Sequence, residues 1–284
     1  MLDAIVRHVW RRPGLDLAQI TPLGPRELAA VPLPAETRRR FTEILMALEL
    51  CRHPQSEDAV ARLDEYVAAL GIHDKEYATT RTAMEQGADH AAQDLERFYD
   101  GILPEVSERS LRDDYLHLDE PDHELGARLR SLHELPVGTL GHAYVEFYRR
   151  NGLTPPGDDI HLPAHYVNHD MNHVITGYEP TAPGEIARSG FLWAAHDSRA
   201  NWLEFLLTLS IHESGVLTHG DIRAKVATLD RDGVPELLGE GFERGAQCTV
   251  DLPGVDHLSL VHVPLDELRA RFNVVPLAQP MVPS

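Results

Sequence analysis

The sequence predicts a mostly α-helical chain of many helices, with at most a small β-hairpin near the C-terminus. Three observations carry this. Apolar residues recur at helical spacing through most of the 284 residues. The composition is rich in Ala, Leu, Glu and Arg, all good helix formers. Only two stretches, Gln247 to Leu252 and Leu258 to Val263, read as strands.

The elements follow in order. The first thirty-five residues are rich in proline and predict irregular chain with one short helix. Glu36 to Cys51 has helical periodicity that places Phe41, Ile44, Leu45 and Leu48 on one face. Glu57 to Leu70 repeats it with Val60, Leu63, Val67 and Leu70. A long helix is expected from Lys75 to Leu103, ending before Pro104, and Pro104 to Pro121 reads as a charged connector. Further helices are expected over Asp122 to His133, Thr139 to Arg150, from near Pro163 onward, Pro183 to Ala195, Arg199 to His212, Thr218 to Leu229 and Val234 to Gly245. The connector divides an N-terminal helical region, 1–118, from a helical core, 119–284.

Composition narrows the function. Hydrophobic residues make up 43% and aromatics 6%, so the core is aliphatic. A formal net charge of −19 repels nucleic-acid phosphates and offers no basic patch to anionic lipid. Two cysteines, Cys51 and Cys248, are too few for a disulfide framework and point to a reducing cytoplasm. The start, MLDAIVRHVWRRPG, predicts neither a signal nor a transit peptide, and no apolar run is long enough to span a bilayer.

The chemistry concentrates in one motif. His169, Asp170 and His173 spell H-D-M-N-H, followed after eleven residues by Glu185. On a helix, residues three and four apart share a face, so the three side chains can converge on one atom. Two imidazoles and a carboxylate suit a divalent transition metal, with Glu185 as a fourth ligand. Gly177 ends the first helix, and Pro180 and Pro183 keep it from continuing. Thr181 caps a second helix with Pro183 in its first turn, and this returns Glu185 toward His173. Zn, Fe, Mn and Co all satisfy such a ligand set.

The stretch HDMNHVITGYEPTAPGE resembles the signature of the ubiquinone (coenzyme Q) biosynthesis family Coq-four: H-D-x-x-H, eleven residues, E. LPVGTLGHAYVEFYRRNGL (Leu135 to Leu153) and VPLDELRARFNVVP (Val263 to Pro276) are similar to flanking family segments. The resemblance covers about residues 120–276; Asn172 stands where members usually carry an apolar residue and Ser189 where lysine is common. It implies oxidative decarboxylation of a prenylated 4-hydroxybenzoate-derived ring, a hydroxyl replacing the carboxylate, with His169, Asp170, His173 and Glu185 as the metal ligands. It also implies membrane association at the periphery within a multi-enzyme assembly, and it is compatible with a homo-oligomer. A small aromatic or prenylated substrate is the expected partner. Arg188, one turn after Glu185, is a candidate for pairing with the substrate carboxylate, although a surface salt bridge is the commoner fate of such an arginine. The stretches Phe191–Trp193 and Trp202–Leu207 would line a prenyl groove or pack the core.

Other histidines are weaker candidates. His161, His165, His169 and His173 are spaced by four, but each step turns about 40° past a full circle, so the ends diverge by about 120°. His165 and His142 remain candidates for supporting or substrate contacts. Two further function classes stay open. One is a non-catalytic scaffold that holds a prenylated lipid. The other is an HD-type metal phosphohydrolase, which would recruit His142 with Asp197 or Asp221 and has no use for Glu185.

Overall fold

The computed structural model describes residues 1–52, 57–72, 101–111, 122–157, 164–218, 222–279 and 281. Two compact units emerge: residues 1–100 with 202–239, and residues 101–201 with 240–284. Nine helices are numbered here: α1 (Ala35–Leu50), α2 (Glu57–Leu70), α3 (His123–Ser131), α4 (Leu140–Asn151), α5 (Ala164–Thr176), α6 (Ala182–Ala195), α7 (Arg199–His212), α8 (Val234–Gly245) and α9 (Leu265–Phe272). Among the described residues there is no strand, and an antiparallel bridge joins Thr139 to Pro264. The mostly α-helical class holds. No helix among the described residues is long and apolar enough to cross a membrane.

In the first unit α1 packs against α2, whose Val60, Leu63, Val67 and Leu70 are buried as their spacing predicts. The face of α1 differs from expectation. Met46, Ala47 and Leu50 are buried, with Thr42 and Glu43, whereas Phe41, Ile44, Leu45 and Leu48 are half-buried. Glu43 can turn inward because Arg39 and Arg40 both pair with its carboxylate. The long helix expected from Lys75 falls largely outside the described residues; 101–106 are helical, so Pro104 lies within a helix.

Among the described residues, no helix forms where one is expected over Thr218 to Leu229. Residues 222–227 run without regular structure into a short 3-10 turn, Thr228–Asp230. The end of α7 supplies the reason. Lys225 N–H donates to the Ile211 carbonyl, Ala227 N–H to the Glu213 carbonyl, and Leu229 N–H to the Glu213 carboxylate at 2.7 Å. With these acceptors the segment satisfies its backbone without forming a helix of its own.

The second unit is arranged around α5, which packs on α4, α6, α9 and the 3-10 turn Leu252–Gly254. Asp122 caps α3, Thr139 caps α4, and Gly152 closes α4 in the left-handed conformation. The two expected strands are replaced by the 3-10 turns Leu252–Gly254 and His257–Ser259. Val261 and Val263 instead accept from Gly141 and Leu140, two N–H groups at the start of α4 that have no partner within the helix. Helix α9 was not anticipated from its sequence.

From Val167 to Thr176 every residue of α5 except half-buried His169 is buried, although this stretch carries two asparagines, an aspartate and two histidines. Polar groups can be buried at this density only when they are hydrogen-bonded. Asn168 donates to the Pro253 carbonyl at 2.9 Å, and Asn172 donates to Asn168. His257 lies 3.0 Å from the Asn172 amide oxygen through Nε2 and 3.0 Å from Glu108 through Nδ1. Glu108 falls in the stretch read as a charged connector, yet it is fully buried and also accepts from Leu258 N–H. At the other end of α5, Arg269 donates to the carbonyls of Val174 and Ile175, and Arg244 to that of Thr176. These are terminal carbonyls that a helix leaves without partners, and a cation is favoured there.

Candidate metal centre

The geometry starts with the turn after α5. Gly177 adopts φ +85°, and its N–H returns to the His173 carbonyl at 2.7 Å, which closes the helix. The Glu179 carboxylate receives Arg150 and Asn151 from the end of α4, and this anchors the turn. The Thr181 side chain accepts from Gly184 N–H, and Pro183 sits in the first turn of α6. Gly184 admits no other residue: a Cβ there would lie 2.0 Å from the Glu179 carbonyl oxygen. Glu185 follows immediately and faces back toward α5.

His173 is fully buried, and its Nδ1–H donates to the Tyr178 carbonyl at 2.9 Å. This turns Nε2 toward Glu185, 3.1 Å from Oε1 and 3.2 Å from Oε2. His169 Nε2 is 3.4 Å from the same carboxylate, while His169 Nδ1 is 3.0 Å from Asp170 Oδ1. Ligand-type atoms of His169, Asp170 and His173 lie within 4.8 Å of one another. The other Asp170 oxygen accepts from the Tyr148 hydroxyl, which in turn accepts from Tyr144. The His169 side chain is 23% exposed and that of Glu185 15%, so the cluster can be reached from solvent.

Charge is tightly balanced here. Burial opposes a charge on His169, as does Arg188, but Glu185 and the hydrogen bonds from Asp170 and Glu185 prevail and push its pKa up to about 9. Burial pushes His173 down, with Arg188 and His169 adding to that against the pull of Glu185. Burial also works to raise Glu185, but His173 and His169 hold its carboxyl well below the usual carboxylate range. Two Nε2 atoms and one carboxylate around a common point form a donor set that suits a divalent transition metal. Each Nδ1 is fixed by an acceptor behind it, as in metal-binding histidines generally.

The structure therefore brings His169, Asp170, His173 and Glu185 together. Arg188 is not a surface residue. It is 1% exposed and pairs with Glu185 at 3.5 Å, because the neighbouring residues of α6, Ile186 to Trp193, are all buried. His165 lies in the first turn of α5 with its side chain outside the described residues, as is the whole of His161 and Asp221. No contact among the described residues joins His142 to the cluster, and Asp197 is exposed. Phe191, Leu192 and Trp193 belong to the core of the second unit, and Trp202, Leu203, Phe205 and Leu206 to that of the first. Sequence reasoning missed Tyr148, whose signal is its spacing of four from Tyr144 on α4, and missed Tyr178, whose contribution is a carbonyl and leaves no side-chain signature.

Part of the chain is similar in sequence to a known protein. Over 107 residues, 33% of this chain, it is 29% identical to the mitochondrial ubiquinone biosynthesis protein COQ4 of Eremothecium gossypii. The chain resembles the Coq-four family. It covers 31% of that relative's length. A solved structure from Nostoc punctiforme PCC 73102, provisionally named a ubiquinone biosynthesis protein, aligns with 83% of this chain and 98% of its own, at 19% identity and a TM-score of 0.37. No protein-family model matches the chain.

Proposed function

We propose that this chain is a metal-dependent enzyme that oxidatively decarboxylates and hydroxylates a prenylated 4-hydroxybenzoate-type ring, or a related aromatic acid. The observation that carries this reading is the convergence of His169 Nε2, His173 Nε2 and the Glu185 carboxylate on one partly accessible point, with a buried arginine beside it. Similarity to a ubiquinone-biosynthesis protein supports the substrate class. A divalent transition metal held there would supply a Lewis acid for a substrate oxygen. His169, His173 and Glu185, with Asp170 beside His169, would form its centre, and Arg188 adds a buried cation that favours a substrate carboxylate nearby.

The assay supplies purified protein, reconstituted separately with Fe, Mn, Co or Zn, with a prenylated 4-hydroxybenzoate under oxygen. Loss of carbon dioxide and gain of a ring hydroxyl, both abolished in Glu185→Ala, are expected. Tight binding without turnover would transfer the case to a lipid-holding scaffold. Phosphate release from nucleotides would transfer it to an HD-type hydrolase. That rival has less support, since it has no use for Glu185, whose carboxylate lies 3.1 Å from His173 Nε2.

A further inference from the structure

We propose that Tyr148 is a positioning residue of this centre: its hydroxyl holds Asp170, and Asp170 holds His169 from behind, so that Asp170 supports a ligand without being one. The inference rests on the metal-binding reading above and refines it.

Hydrogen-bond direction decides the matter. Both oxygens of Asp170 are in use, Oδ2 by the Tyr148 hydroxyl and Oδ1 by His169 Nδ1 at 3.0 Å. The Tyr144 hydroxyl donates to Tyr148 at 3.4 Å, which leaves the hydrogen of Tyr148 for Asp170. Tyr148 is 3% exposed, and a phenol keeps its hydrogen at neutral pH, so it is a donor. A carboxylate beside His169 can only accept, so Nδ1 carries hydrogen and Nε2 is the nitrogen that can bind.

The second imidazole repeats the arrangement. His173 Nδ1 is held by the Tyr178 carbonyl, and its Nε2 meets the same Glu185 carboxylate. Both rings are thus tethered at Nδ1 and presented at Nε2, once by a carboxylate and once by a backbone carbonyl. The point of convergence lies on the Nε2 side of His169, and Asp170 lies on the Nδ1 side. Proximity alone would admit Asp170 as a ligand, since it falls within the 4.8 Å cluster. That proximity follows from its being the next residue to His169, and both of its oxygens are already bonded elsewhere.

The test measures Co²⁺ binding by competition with a chromophoric chelator. Tyr148→Phe and Asp170→Ala should each weaken binding by roughly ten- to a hundredfold while retaining a single ion per chain at saturation. The double variant should bind no more weakly than Asp170→Ala, because both changes remove one support. His169→Ala, His173→Ala and Glu185→Ala should take up no ion. Loss of the ion from Asp170→Ala as complete as from Glu185→Ala would overturn the proposal, as would unchanged affinity in Tyr148→Phe.

A readout without metal guards against variants that merely misfold. In the metal-free protein the hydrogen-bonded Nδ1–H resonance of His169 should move upfield in Tyr148→Phe, with the circular dichroism of the fold preserved. An unmoved resonance overturns the proposal. If the wild type takes up no Co²⁺, the metal reading itself falls, and this resonance alone decides the role of Tyr148.

Discussion

The imidazole of His173 is held by the backbone of Tyr178: Nδ1 lies 2.9 Å from that carbonyl, five residues on and just past the helix end. A ligand-type nitrogen is thereby oriented by a turn, and the turn is kept in place by more distant residues. The Arg244 guanidinium stacks over the Tyr178 ring at 5.0 Å and donates to the carbonyls of Thr176 and Val275.

Arg244→Met should therefore destabilise the protein by about 1–3 kcal/mol, the cost of leaving the buried Thr176 carbonyl without its donor. Arg244→Lys should recover only part of this, because an ammonium lacks the planar fork that serves two acceptors. Urea denaturation at fixed pH measures both. A loss within error of zero in Arg244→Met would show that the end of α5 does not depend on the clamp.

His257→Leu should cost about 1–3 kcal/mol for each buried polar partner it leaves unsatisfied. The Glu108 carboxylate would keep only the Leu258 N–H, and the Asn172 oxygen would lose its partner. The double variant His257→Leu/Glu108→Leu should regain much of the loss, since no buried carboxyl group is then left without its imidazole partner. Equal destabilisation of the single and double variants would argue against this account of the network.

Gly184→Ala tests the turn. A methyl group cannot occupy a position 2.0 Å from the Glu179 oxygen, so α6 must shift and carry Glu185 with it. A stability loss of about 1–3 kcal/mol is expected, as for other steric insertions, together with weaker Co²⁺ binding. Unchanged metal affinity would separate the turn from the site.

In the metal-free protein, His169 should remain protonated well past neutrality. Its pKa of about 9 lies above its ordinary 6.5, so its contribution to stability is complete below about 6.5 and is lost as pH rises through about 9. His173, shifted downward, titrates below that window. The melting temperature should fall across the window, and fall less in Glu185→Gln. A histidine NMR titration that places His169 near 6.5 in the wild type would contradict the ion pair.

Much of the site was legible because its determinants are local. Gly177, Pro180, Thr181 and Pro183 form a stop, a turn and a start within a few residues, and each acts through its own local chemistry. What stayed hidden depends on partners remote in sequence. Tyr148 is 22 residues from Asp170, and Glu108 is 149 from His257. The stretch 258–263 has strand-like composition, but the N–H groups of α4 take its carbonyls, and Pro253 and Gly254 favour tight turns just before it. The apolar stripe of α1 was misplaced because two arginines neutralise Glu43, a tertiary effect that periodicity does not record.

The central claim is that His169, His173 and Glu185 hold a transition metal. Plasma mass spectrometry of the purified wild type beside Glu185→Ala tests it most directly. The account expects a single divalent ion per chain in the wild type and none in the variant, with helical content alike in the two. An ion retained in full by Glu185→Ala, or no ion in the wild type even after reconstitution, would contradict it.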